Sequence, residues 1–199
     1  MAYPTVSGPY GLKPINLIGG RVFAGATRQF PIASGYAANI FNGDVVKLIN
    51  DGTLEKDTGT ATATPVGVFI GCAYTSPALG YQLYSQYYPT GTVASDIVAY
   101  IVDDPEALFK VAVTAAGSST MSTVARTAVG NNSVLIQTAG STATGDSKVS
   151  ISATTATTNT QPMRIIDVVS ETATAADAFP EVIVKWNWGM HQYQNATGV

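Results

Sequence analysis

Turn signals arrive along this chain at short, regular intervals, and the segments between them are rich in β-branched and aromatic residues. Asn42-Gly43-Asp44 precedes residues 45–49 (VVKLI), and Asn50-Asp51-Gly52 follows at once. Pro89-Thr90-Gly91 separates residues 81–88 from 97–102, and Asp103-Asp104-Pro105 turns the chain before 107–113 (ALFKVAV). Residues 65–73 (PVGVFIGCA) form another such run, and 21–32 show short apolar alternation. Asn-Gly and Asp-Gly steps tolerate positive φ and favour tight hairpins. Short strands at this spacing predict a mainly β chain with a small barrel- or sandwich-like domain, placed over residues 21–113.

Beyond Val113 the composition changes. Residues 114–160 are dominated by Thr, Ser, Ala, Gly and Asn, with few large apolar side chains. One short helix is predicted over 118–129, with Ser118 or Ser119 as N-cap and Gly130-Asn131 as its stop. Residues 133–138, 148–152, 163–170 (MRIIDVVS) and 181–188 (EVIVKWNW) read as strands. Residues 114–190 are therefore expected to form a second, Thr/Ser/Ala-rich β lobe or a long insertion, with 191–199 as a polar C-terminal tail.

Residues 1–20 (MAYPTVSGPYGLKPINLIGG) combine Pro4, Pro9 and Pro14 with several glycines, which rules out a regular helix. They also display Tyr3, Val6, Tyr10, Leu12, Ile15, Leu17 and Ile18, residues in which disordered tails are usually poor. The expectation is an extended arm lying along another protein; the alternative is a stretch packed on its own domain. Ordering such a segment costs more conformational entropy than its apolar side chains return. It binds only if its backbone pairs with a strand or if several arms act together. On the arm reading, deletion of residues 1–18 leaves a folded body.

Charged residues make up only 12% of the chain, and the net charge is −3. A surface so poor in charge is expected to meet other protein. No cluster of Lys and Arg is present, so nucleic acid is not an expected partner: even non-specific binding needs neutralised phosphates. No stretch approaches the roughly 20 apolar residues of a membrane helix. The N-terminus also lacks the basic start and apolar run of a signal peptide. A soluble protein folded in a reducing cytoplasm, with no membrane partner, is the expectation. The single cysteine, Cys72, excludes an intramolecular disulfide and reads as a small buried hydrophobe.

Catalysis is argued against by subtraction. His191 is the only histidine and lies in the polar tail, whereas a general base must be held rigidly and chain ends are usually mobile. No G-x-S-x-G elbow, phosphate-binding glycine loop or H-E-x-x-H is present. Asp103, Asp104 and Glu106 crowd together without the spacing of a calcium loop and read as a polar turn. No enzymatic activity, cofactor or metal is expected. Two aromatic groups remain. Val182, Val184, Trp186 and Trp188 share one strand face at period two, as core or subunit contact. A stacking platform of Trp186 and Trp188, as in a carbohydrate-binding or adhesion module, is the alternative. Tyr81, Tyr84, Tyr87 and Tyr88 fall on both faces of their strand, so some should be half-exposed.

The segments Asn42-Gly43-Asp44-Val45-Val46-Lys47-Leu48 and Pro65-Val66-Gly67-Val68-Phe69-Ile70-Gly71-Cys72, following an N-terminal arm, resemble the head decoration (cement) proteins of tailed bacteriophages. Ser85-Gln86-Tyr87-Tyr88-Pro89, residues 99–113, Val129-Gly130-Asn131-Asn132 and Met163-Arg164-Ile165-Ile166-Asp167 look like those of virion structural proteins from aquatic phages. The resemblance covers most of residues 10–186. It implies a small β-barrel-like domain, a homotrimer, on the outer surface of an icosahedral head, with the phage major capsid protein as partner and no cofactor. Synthesis in the host bacterial cytoplasm goes with that picture. On this resemblance Tyr3, Val6, Tyr10, Leu12, Pro14, Ile15, Leu17 and Ile18 bind the shell and clamp adjacent capsomers. Tyr87, Tyr88, Trp186 and Trp188 become the trimer contacts.

Overall fold

The computed structural model describes residues 6–199; Tyr3 lies outside them. The described residues are mainly β, with twelve strands and only short 3-10 turns as helix. β1 (Lys13–Leu17) leads into β2 (Arg28–Pro31), β3 (Val45–Leu48), β4 (Leu54–Lys56), β5 (Gly67–Thr75), β6 (Gln82–Ser85) and β7 (Val98–Val102). β8 (Ala107–Thr114), β9 (Asn132–Ile136), β10 (Ser150–Ala156), β11 (Met163–Val168) and β12 (Glu181–Trp186) complete the chain. One sheet has the order β2-β7-β5-β3-β4, with β6 also on β5. The other runs β8-β10-β9-β11-β12 and returns from β12 to β8, closing a five-stranded barrel.

The expected barrel-like domain lay over residues 21–113; the closed barrel instead runs from β8 to β12, with residues 28–102 forming the open sheet beside it. Alternation explains the closure. Phe109, Val111 and Val113 of β8, and Val182, Val184 and Trp186 of β12, all point into one core with at most 1% exposure. Leu135, Ile151, Met163 and Ile165 fill it from the other strands. The open sheet builds a second core around Val46, Leu54, Phe69, Tyr88 and Ile101. Val45, Val68 and Val102 of that sheet pack into the barrel core, so the two layers are continuous. Cys72 is buried as its apolar run implied, and burial pushes its thiol up to about 12.

The Ser- and Thr-rich region supplies β9 and β10 to the barrel wall, joined by long irregular loops, but the helix expected over 118–129 does not form. Met121 bridges Thr114 and Val124 bridges Phe179. A single 3-10 turn at Arg126–Ala128 is all that remains. Ser, Thr and Val carry little helix propensity, and long-range pairing takes their backbone groups. Small hydroxyl side chains suit the barrel wall because they are satisfied there. Ser133 Oγ donates to the Ser152 carbonyl at 2.9 Å, and the Thr114 and Ser150 hydroxyls meet at 2.7 Å. Among the described residues no helix is long and apolar enough to cross a membrane.

Candidate interaction surface

The segment from Tyr10 to Leu17 belongs to its own fold. Gly11 adopts φ 81°, and a Cβ there would stand 2.7 Å from Ser147 Cβ and 2.9 Å from Gly43 Cα. Its amide donates to the Val149 carbonyl at 3.1 Å, and the Leu12 amide to the Gly43 carbonyl at 3.0 Å. Leu12, fully buried, enters the barrel core. β1 then pairs antiparallel with β8, Lys13 opposite Lys110 and Leu17 opposite Ala107. Lys13 Nζ donates to Asn42 Oδ1 at 2.7 Å. The Tyr10 hydroxyl donates to Glu181, which also forms an ion pair with Lys110 at 3.3 Å. Burial, and then that carboxylate, hold the Tyr10 phenol far above its usual range.

The expected free arm is thereby corrected over these residues. Strand pairing, one of the two conditions under which such a segment binds, is met within the chain by the open edge of β8. Leu12 is closed to any partner, and the Tyr10 hydroxyl is already committed. Pro14 is half-buried opposite Phe109, and Ile15 falls in the bulge between Pro14 and Asn16. Val6, Ile15, Leu17 and Ile18 are also half-buried and keep part of their surface open.

Asn42-Gly43-Asp44, read from the sequence as a turn, is also a junction. The buried Asp44 carboxylate accepts from the Phe41 amide at 2.9 Å, Lys56 Nζ at 2.8 Å and Ser147 Oγ at 2.6 Å. It joins the open sheet to the loop between β9 and β10. Nothing in its spacing reveals the partner Ser147, which lies 103 residues away.

Large apolar side chains stand open elsewhere. Val22 is 77% exposed, Tyr84 75% and Trp188 78%, with Leu79, Tyr81 and Val93 also exposed. Leu79, Tyr81 and Tyr84 all belong to the β5–β6 hairpin, where, among the described residues, strand β6 pairs with β5 alone. Val22 borders a groove of about 410 Å³ lined by Leu17, Phe23, Ala26, Arg28 and Asp103. Arg28 donates to Asp103 at 3.0 Å, and the Tyr193 hydroxyl to the same carboxylate at 2.8 Å. Burial, then Asp103, push the Tyr193 phenol up to about 12. Glu106 pairs with Lys185 at 2.6 Å, and Asp104 accepts the Glu106 amide at 2.7 Å. The acidic cluster is thus a turn whose carboxylates each have protein donors.

The four aromatic contact candidates divide evenly between core and surface. Trp186 is 1% exposed and lies 5.5 Å from the Phe109 ring, while Trp188 is open. β12 ends at Trp186, and the Asn187 side chain donates to the Asn159 and Gln161 carbonyls, which breaks the alternation before Trp188. Tyr88 is fully buried, its one hydroxyl proton shared between the Tyr36 and Thr92 carbonyls, each at 3.3 Å. Tyr87 is half-buried and stacked on Phe41 at 5.5 Å. Trp186 and Tyr88 are therefore corrected from subunit contacts to core residues, and no two-tryptophan platform exists for a sugar.

His191 is corrected from a mobile tail to the interior. Its ring is fully buried, 6.2 Å from that of Trp186 and 5.1 Å from that of Tyr193, and Nδ1 accepts the Tyr193 amide at 3.2 Å. Nε2 is buried without a hydrogen-bond partner. The next residue ties down the strand end: Gln192 exchanges two hydrogen bonds with the Leu48 backbone, at 2.8 and 3.0 Å.

Compared with known proteins, the chain matches no family model, no curated protein and no solved structure.

Proposed function

We propose that this protein is a structural component of a tailed-phage virion, a decoration protein that sits outside an icosahedral head as a homotrimer and braces adjacent capsomers. The observation that carries the reading is a charge-poor surface on which Val22, Tyr84 and Trp188 are 75–78% exposed. Large apolar side chains left open on a charge-poor surface mark protein contacts, and the β5–β6 hairpin carries three of them. The motifs that resemble cement proteins and a closed β barrel support the same reading.

The fold changes how such a clamp works. With Leu12 in the core and Tyr10 bonded to Glu181, contact with the major capsid protein falls on Val6, Pro14, Ile15, Leu17, Ile18 and the neighbouring Val22. Tyr87 and Trp188 serve as the trimer contacts. Three weak contact faces held in one trimer act at high effective concentration, so each can be small. Multi-angle light scattering of the full chain tests the assembly: a mass three times that of the chain is expected. A monomer at every concentration contradicts the trimer.

A further inference from the structure

Lys13, Asn42 and Asp146 come from three distant parts of the chain and meet at one point. Lys13 Nζ donates to Asn42 Oδ1 at 2.7 Å and to Asp146 Oδ1 at 3.3 Å. The backbone sets the two acceptors side by side. Asn42 and Asp146 form a parallel bridge, the Asn42 amide donates to the Gly145 carbonyl at 3.0 Å, and the Ser147 amide donates to the Asn42 carbonyl at 3.0 Å. Asn42 Nδ2 donates to the Ile70 carbonyl at 2.6 Å, which turns Oδ1 toward the lysine. Gln86 Nε2 donates to Asp146 Oδ1 at 3.0 Å and orients that carboxylate.

An amine, a carboxamide and a carboxylate held within reach of one another are the parts of a transamidation. Oδ1 is one carbonyl bond from Cγ, so Nζ lies within about 4 Å of that carbon, near the distance from which a nucleophile attacks. Lys13 also stands directly opposite Lys110 on β8, a like-charge placement that acylation of Lys13 relieves.

We propose that the chain joins Lys13 to Asn42 through a side-chain amide bond, with Asp146 carrying the protons. Asp146 takes a proton from the Lys13 ammonium, and the lone pair so freed attacks Asn42 Cγ. The Nζ–Cγ bond forms and the Cγ–Nδ2 bond breaks. Two of the three Nζ protons pass by way of Asp146 to Nδ2, which leaves as ammonium, and the carboxylate is regenerated. The Lys13 and Asp146 side chains are 34% and 42% exposed, which leaves the ammonium a way out. Cyclisation at Asn42-Gly43 also expels ammonia, but its nucleophile, the Gly43 amide, already donates to the Phe69 carbonyl at 2.8 Å. The bond fastens β1 to the turn before β3, and it is independent of any role on a phage head.

Mass spectrometry of the folded full chain, followed through a prolonged incubation, tests the link. The intact mass is expected to fall by one ammonia, about 17 Da. Trypsin, which does not cut before Pro14, should release residues 1–21 joined to residues 29–47. The wild type kept in urea and the folded Lys13→Arg variant should both retain full mass. Asp146→Asn should form the bond at least about a hundredfold more slowly. A folded wild type that keeps its full mass overturns the proposal. So does a mass loss that persists in Lys13→Arg, which marks cyclisation at Asn42-Gly43, or a rate unchanged in Asp146→Asn. If the variants do not fold, the wild-type digest decides: the branched peptide supports the proposal, and its absence overturns it.

Discussion

The imidazole of His191 must stay neutral to keep its place, because Nδ1 accepts the Tyr193 amide and the ring is enclosed by Trp186 and Tyr193. Burial lowers its proton affinity below the ordinary value of 6.5; the Val66 carbonyl, Asp103 and Asp104 oppose this and are outweighed. The sign follows. As pH falls below 6.5 the unfolded chain binds a proton before the folded one, so stability drops until the folded-state value is reached. Well above 6.5 both states are neutral and this residue adds no slope. Urea midpoints of the wild type are expected to fall from pH 7 to pH 5.5, by at most about 1.4 kcal/mol per pH unit from this residue. His191→Gln should lack that share, and identical slopes would contradict it. Sequence reasoning placed Cys72 correctly, because its apolar run is local. It misplaced Trp188, because period-two alternation does not reveal that Asn187 ends the strand, and His191, because no local pattern sets its ring against Trp186.

At the scale of elements, β1 decides most. β8 offers one edge to β12, and the other is shared by β1 at its start and β10 at its end. Removing residues 1–18 strips half of that edge and takes Leu12 out of the core. The truncated chain is therefore expected to be severely destabilised, contrary to the expectation of a dispensable arm. Leu12→Ala alone should cost about 2–5 kcal/mol in denaturant unfolding. A truncated chain that melts like the full one would show that β1 contributes little. The arm's proline, glycine and aliphatic pattern was legible, and so was its need for strand pairing; the identity of the pairing strand was not. The same limit hid the bridge from Val124 to Phe179, which keeps residues 118–129 extended.

For the whole molecule, β class and barrel were legible because turn chemistry and alternation are local signals. The barrel's position was not, since closure joins β8 to β12 across a long stretch of chain, and no local pattern announces such a pairing. What the assembled fold leaves open is apolar surface at Val22, at the β5–β6 hairpin and at Trp188. Co-sedimentation of the full chain with purified heads of the phage that the proposal assigns it to tests the central claim most directly, with Val22→Asp as the contrast. Binding should saturate at a fixed ratio to the shell protein and weaken at least tenfold in the folded Val22→Asp variant. A wild-type chain that stays in the supernatant at every concentration would contradict the account.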